Sequence, residues 1–380
     1  MLYNDLLRKV TLVIPTYSRP HAVQRHFVYW KDTPIKVLIL DGSKEALNLR
    51  DSERKVSNVS YVHTGMRFND RLVTAGDVIT TPYAALLADD EFFLKGGLRQ
   101  CVRHLDDHPS TIGCTGKVLG FFVEQNRFLT FPMYDEWLPF PTDRDDLRGR
   151  LDFALPPKKA HKVTYSLFRT NIWTELFRES YRTFYSSGYV YERLLNFYSA
   201  ILGRTELLDC VVWMRSLENR PLSTEDVPRT MGRDFLSWAR DPEFSGEVKR
   251  LRDVAQTLLE RPGMLSDKEI KDFVTRFVDG GIKRQADKQE RNRKSVKRRL
   301  GKFLLNNGPK NVKKLAKRWM PARTLRFTGW EGRQVRWVLR QLERSGTEVC
   351  VESLSEVANL ALGQDLLLDL PFDSSQKPSK

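Results

Sequence analysis

Asp89, Asp90 and Glu91 are three consecutive acids set between an apolar run, Leu86-Leu87-Ala88, and a phenylalanine pair, Phe92-Phe93. Side by side their charges raise one another's proton affinity, and the apolar flanks put them at the rim of a core and not on a freely solvated helix face. Such a cluster calls for a counter-charge. Mg²⁺ and Mn²⁺ are hard ions that take oxygen from one or two carboxylates and leave their other positions to water and a phosphate. A divalent metal and a phosphorylated ligand are the chemistry these acids suit first; the competing reading is an acidic turn that closes a strand. Neither GxxxxGK[ST] nor GxGxxG occurs in the first hundred residues, so phosphate would be met through metal and basic side chains instead of a glycine-rich loop.

The elements that must hold these acids are strands. Residues 10–15 are rich in β-branched side chains and stop at Pro15, and Thr16-Tyr17-Ser18-Arg19-Pro20 is the polar exit. A helix-like stretch over 21–31 leads to a second strand, 35–40, which ends in Asp41-Gly42-Ser43. A strand, crossover helix and strand pair in parallel, and open sheets of this kind bind ligands at the carboxyl ends of their strands. Residues 59–63 form a third strand and 83–87 a fourth, which carries the acids. Asp41 and the acidic cluster, about 50 residues apart, therefore converge on one crevice.

Composition narrows the class. The chain has 380 residues, 41% hydrophobic and 29% charged, with a net charge of +15. That excludes wholesale disorder and requires a basic surface. The longest apolar runs fall far short of a membrane span. The opening Met1-Leu2-Tyr3-Asn4-Asp5 lacks a basic segment followed by an apolar one, so export by a signal peptide is not expected. Cys101, Cys114, Cys210 and Cys350 are scattered, which reads as reduced thiols in a cytosolic protein without zinc.

Residues 10–19 (VTLVIPTYSR), 37–43 (VLILDGS) and 87–93 (LADDEFF) resemble, in order, three signatures of the GT-A fold glycosyltransferases, closest to the group similar to family 2. In that group the first strand ends in a P-T-Y/F-N/S-R loop, the second in D-G/D-S and the fourth in a DxD or DDD variant. The resemblance covers roughly residues 8–220. It implies an α/β, Rossmann-like GT-A fold: a mixed, mostly parallel sheet flanked by helices, to which this chain adds a C-terminal α-helical extension. It implies that Pro15, Thr16 and Arg19 line the nucleotide pocket and that Asp41 hydrogen-bonds the base. Asp89 would meet the ribose or a metal-bound water, and Asp90 or Glu91 would ligate the Mn²⁺ or Mg²⁺ that bridges the diphosphate. The frame Ala88-Asp89-Asp90-Glu91 departs from the family pattern and leaves open which acids touch the metal.

Arg67 and Arg71 follow the third strand, where the family often sets a basic residue against the nucleotide; the competing reading for both is a solvated helix face. His161 precedes a strand at 163–170 that resembles the one before the family's acceptor helix, and Arg215 ends the last strand, 207–215, within reach of a phosphate. Glu192 stands where the family carries the acid that deprotonates the acceptor hydroxyl, with Arg193 in place of the usual second acid. A hydroxyl is a poor nucleophile at neutral pH without such a base. The alternative is an acid that complements the helix macrodipole. The implied activity is hexosyltransferase-like: a sugar moves from a nucleotide-sugar donor to a hydroxyl acceptor, lipid-linked or glycan, in cell-surface glycan or polysaccharide biosynthesis. A nucleotidyltransferase and a nucleic-acid-binding protein are the alternatives.

The remaining segments read as follows. An amphipathic helix spans 98–108 and a strand 112–122. A loop rich in aromatics and proline then runs from 128 to 141, where Phe131, Tyr134, Trp137 and Phe140 suit an acceptor platform or core packing. The catalytic domain is expected over 1–222, a helical subdomain over 223–282, a basic amphipathic segment over 283–320, a small helical region over 321–372 and a tail to 380. Ser266-Asp267-Lys268-Glu269 has capping-box form. Between 283 and 318 fifteen Lys and Arg stand against two acids. With its apolar stripe this stretch suits an anionic membrane surface, nucleic acid phosphates or plain solvent. The more acidic stretch after it is a candidate to cover the basic helix. The expected location is cytoplasmic, peripheral at the inner face of the cell membrane.

Overall fold

Val10, Leu12, Val13 and Ile14 are all fully buried. A strand covered on both faces belongs at the centre of a parallel sheet, between two helix layers. The computed structural model, which describes residues 5–124, 127–133, 144–155, 163–217, 234–294 and 335–362, places it there. Strand β1 (Val10–Thr16) leads through helix α1 (Pro20–Trp30) to β2 (Lys36–Asp41), short helix α2 (Asp51–Arg54), β3 (Val59–His63), α3 (Phe68–Ala75) and β4 (Tyr83–Leu86). These four strands are parallel in the order β3-β2-β1-β4, with Thr16 opposite Asp41 and Asp41 opposite His63. The order turns back at β1, so the crevice expected of such a sheet opens at the carboxyl ends of β1 and β4.

Beyond β4 come β5 (Phe92–Phe93), α4 (Lys95–Asp107), β6 (Thr111–Glu124), β7 (Arg127–Met133), α5 (Leu147–Ala154), β8 (Leu167–Arg169), α6 (Thr170–Tyr181), α7 (Gly188–Leu202) and β9 (Arg204–Ser216). Strand β8 joins antiparallel to β4 and to β6, β9 runs parallel to β6, and β5 pairs antiparallel with β9. Among the described residues the sheet is mixed, mostly parallel and flanked by helices, as the sequence led one to expect.

Two cores lie on its faces. On one, Val10, Leu12 and Ile14 pack with Val23, Phe27 and Trp30 of α1 and Leu98 and Val102 of α4. On the other, Val13 packs with Leu72 of α3, Trp173 and Phe177 of α6 and Leu194 of α7. The second layer continues into α8 (Phe235–Arg240), α9 (Ser245–Glu260) and α10 (Asp267–Lys294). The capping box at the start of α10 is made: Ser266 N–H donates to Glu269 Oε2 at 2.8 Å and Glu269 N–H to Ser266 Oγ at 3.4 Å.

Two expectations need correction. Residues 127–133 are a strand and not a loop, because Thr130 donates to Gly120 O at 2.9 Å and Phe128 stacks on Phe121 at 5.3 Å. Pro132 is tolerated there since, among the described residues, β7 pairs only with β6. The strand expected at 163–170 is a 3₁₀ turn, Val163–Tyr165, followed by the short β8. The described part of the C-terminal stretch, a candidate to cover the basic segment, meets the sheet layer. Helices α11 (Val335–Arg344) and α12 (Val351–Leu362) bury Val338, Leu342, Leu354 and Val357 in the α1/α4 core. Glu348 O accepts from Val211 N at 2.8 Å, and Glu356 pairs with Lys95.

Helix α10 runs unbroken across residues 282 and 283. The 222/223 boundary, Tyr134, Trp137, Phe140, the tail and the basic segment after residue 294 lie outside the described residues. Among the described residues no helix is long and apolar enough to cross a membrane.

Candidate functional site

The acids sit at the switch point. Leu87 N–H donates to Val13 O at 2.9 Å, carrying the β4 pairing one residue past the strand and setting the turn of Asp89, Asp90 and Glu91 beside the end of β1. Thr16, the last residue of β1, donates from Oγ1 to Asp89 Oδ2 at 2.7 Å. Arg19, which begins α1, donates from Nη1 to Asp89 Oδ1 at 2.9 Å and to Asp90 Oδ2 at 3.3 Å. One guanidinium thus offsets both charges. Desolvation still raises Asp89 above the ordinary carboxylate range; Arg19 and Thr16 oppose it and Asp90 adds to it. Ser18 turns the chain between Thr16 and Arg19 with a φ of 54°. A left-handed backbone of that kind in a residue with a Cβ costs about 1 kcal/mol and recurs where a loop serves a site.

Asp41 is buried one strand away. Its Oδ1 accepts from Ser43 N–H at 2.8 Å and its Oδ2 from the Tyr61 hydroxyl at 2.5 Å. Burial and this hydrogen bond push the Tyr61 hydroxyl up to about 12. Arg71 corrects the solvated-face reading. Its guanidinium is buried across the strand ends, donating from Nη1 to Thr16 O at 2.8 Å and to Leu40 O, while its buried Nε has no partner. Desolvation lowers its proton affinity, and Asp41 and Asp89 oppose this. The fit is close: a Cβ on Gly42 would lie 2.7 Å from Arg71 Cζ. Arg67 has the solvated position, exposed and paired with Asp70 at 2.9 Å.

Asp90 and Glu91 diverge. Because Phe92 and Phe93 pair with Met214 and Trp213, Glu91 turns toward β9. Its Oε2 accepts from the Trp213 indole N–H at 2.7 Å and its Oε1 lies 3.8 Å from Arg215 Nε. Tyr165 stacks on Trp213 at 4.3 Å. Its hydroxyl is pushed well above the tyrosine range, by desolvation first and then by the carboxylates of Glu91 and Glu192, with Arg215 opposing. Glu192 is near the start of α7, directly after Tyr191. It also raises Tyr181, where desolvation is again the larger cause.

The structure brings together Pro15, Thr16, Arg19, Asp41, Arg71, Asp89 and Asp90, and sets Arg215 beside Glu91. Arg67 stands apart and His161 lies outside the described residues. A pocket lined by Arg240, Ala286, Asp287, Gln289 and Glu290 is on the α8/α10 side and contains none of these residues.

Sequence reasoning missed Tyr61, Tyr165, Trp213 and His26. For His26, four residues before Trp30 in a helix, the one available signal was that spacing. Trp30 Nε1–H donates to His26 Nδ1 at 3.2 Å, which leaves Nε2–H to donate to Asp89 O at 3.0 Å. The ring is fully buried, and desolvation lowers its pKa from 6.5 to about 4, with the Asp89 carbonyl opposing. The unfolded chain binds this proton first, so stability is complete above pH 6.5 and falls toward pH 4, by about 3 kcal/mol. Urea unfolding from pH 7 to 4.5 should show this slope, and His26→Gln should flatten it; equal slopes in both proteins would contradict the assignment.

The donors at the turn are all hard carboxylate oxygens, and among the described residues no three His, Cys, Asp or Glu converge. That set fits a cation such as Mg²⁺ or Mn²⁺, which needs one or two carboxylates and completes its sphere with water and phosphate. It does not fit an all-protein cage.

No protein-family model matches the chain, and no curated protein matches it. Among solved structures it is similar to S. aureus TarS 1-349, at 12% identity, covering 93% of this chain and 90% of that one, with a TM-score of 0.49. It is also similar to S. aureus TarS 1-349 in complex with UDP-GlcNAc, at 12% identity, covering 94% and 92%, with a TM-score of 0.47. Likeness of this degree adds nothing to the chemistry, which stands on the residues above.

Proposed function

We propose that this protein is a metal-dependent glycosyltransferase that moves a sugar from a nucleotide-sugar donor to a hydroxyl acceptor. The observation that carries the reading is the bridge from Arg19 to Asp89 and Asp90 at the carboxyl ends of β1 and β4, with Asp41 and Arg71 buried beside it. A crevice with a polar end at Asp41 and Tyr61 and a charged end at Arg19 and Asp90 suits a nucleoside diphosphate. Asp90 would hold Mg²⁺ or Mn²⁺, Glu91 being turned toward Trp213 and Arg215. When bound, the cation would neutralise charge on the leaving diphosphate.

The chain's own residues do the rest. Arg19 holds the two acids in register, and Arg71 ties the ends of β1 and β2 together under the nucleotide. Arg215 supplies positive charge beside Glu91. In an inverting transfer Glu192 takes the acceptor proton as the oxygen attacks the anomeric carbon, and the bond to the diphosphate breaks. The residues suit this step without fixing its stereochemistry. Acceptors in cell-surface glycan or polysaccharide biosynthesis, lipid-linked or glycan, accord with a cytoplasmic enzyme that touches an anionic membrane through 283–319.

The same crevice would serve a nucleotidyltransferase, and the products separate the two. ³¹P NMR of nucleotide sugars incubated with the protein and Mn²⁺ should show free nucleoside diphosphate. Release of pyrophosphate from sugar phosphate and nucleoside triphosphate would overturn the reading.

A further inference from the structure

Three aromatics near the carboxyl side of the sheet are exposed. Phe68, Phe184 and Tyr189 are 36%, 42% and 51% exposed. Each comes from a point that the sheet brings to its carboxyl side. Phe68 opens α3 just after β3, and Tyr189 is in the first turn of α7. Helix α6 starts at the amino end of β4, where Thr170 N–H donates to Pro82 O at 2.9 Å, so the loop after it, with Phe184, returns to the carboxyl ends.

These rings stand on a fixed base. Phe68 packs edge-on against Tyr181 at 5.9 Å, and Tyr181 stacks on Tyr191 at 4.7 Å. Asn69 Nδ2 ties the pair by donating to the Tyr191 hydroxyl at 2.8 Å and to Tyr181 O at 3.2 Å. Glu192 follows Tyr191 near the start of α7, so it stands beside this base, and its charge adds to the upward shifts of Tyr181 and Tyr165. The Arg67 guanidinium sits 5.9 Å over the Phe184 ring while its Nε is held by Asp70 at 2.9 Å.

We propose that Phe184 and Tyr189, with Phe68 and the Arg67–Asp70 pair, form the acceptor subsite, and that the acceptor is a carbohydrate chain whose sugar rings lie on these aromatic faces. This rests on the glycosyltransferase reading. The donor phosphates belong with Arg19 and Asp90, so the hydroxyl that Glu192 deprotonates arrives from the aromatic side. Sugar chemistry suits this surface: one face of the ring is C–H and packs on an aromatic, and its hydroxyls reach an exposed cation and carboxylate at the edge.

The test uses the full chain, its Phe184→Ala and Tyr189→Ala variants, a printed array of neutral and anionic oligosaccharides, and calorimetry with nucleoside diphosphates and Mn²⁺. Both side chains are exposed, so the variants should keep the wild-type fold. The wild type should be retained on a subset of glycans. Each variant should lose about tenfold in affinity for them and keep nucleotide affinity within about twofold. A wild type that binds nucleotide but no glycan, or variants that bind glycans as the wild type does, would overturn the subsite. Binding to anionic phospholipid vesicles that these substitutions abolish would overturn it too and give the surface to a membrane. Glycan binding through Phe184 and Tyr189 without any nucleotide binding would leave the surface standing and remove the transferase reading.

Discussion

Replacing Arg19 with alanine should lower folding stability by about 3 kcal/mol and abolish measurable nucleotide binding. Arg19 and Asp89 are 18% and 6% exposed in their side chains, so the pair is largely desolvated. Truncating one member leaves a buried carboxylate without its cation. The penalty comes from that uncompensated charge and not from the worth of the pair, which predicts a rescue: Arg19→Ala with Asp89→Asn should recover most of the lost stability. Arg19→Lys should recover less, since one ammonium cannot reach both Asp89 and Asp90 as the planar guanidinium does. Urea denaturation of the three variants at pH 7 measures this. A loss under about 1 kcal/mol for Arg19→Ala would mean that the bridge behaves as a solvated surface pair.

Glu192→Gln should reduce turnover by about a hundred- to ten-thousandfold while nucleotide affinity stays within about twofold of wild type. Glutamine keeps the shape and removes the base. The alternative role, an acid complementing the dipole of α7, predicts a different pattern: a stability change of about 0.5 kcal/mol and no effect on turnover. Single-turnover kinetics beside a thermal melt separates the two. Unchanged kinetics would return Glu192 to a structural part.

The parallel half of the fold was legible because its strands are short β-branched runs followed by polar turns, as after Thr16 and at Asp41-Gly42-Ser43. The acidic turn was legible for the same reason, since three adjacent carboxylates next to apolar residues need a partner. What the sequence concealed was which partner. Arg19 lies 70 residues from Asp89, and only the pairing of β1 with β4 brings them together.

For Arg71 the competing reading, a solvated helix face, arose because a basic residue on an amphipathic helix usually faces water. Here it crosses to the carbonyls of Thr16 and Leu40, over a glycine too small to block it. Phe128 to Met133 gave no clear alternation around Pro132, and the strand tolerates the missing N–H because, among the described residues, it pairs on one side only. The return of α11 and α12 to the sheet was beyond reach, because a helix pattern records an apolar face but not what covers it.

The most direct test of the donor site is calorimetric titration of the wild type and Asp90→Ala with nucleoside diphosphates, with and without Mn²⁺. The site described here predicts selective binding of one base, weakened by removing the metal and reduced at least about tenfold in Asp90→Ala. A folded wild-type protein that binds none of them would contradict it.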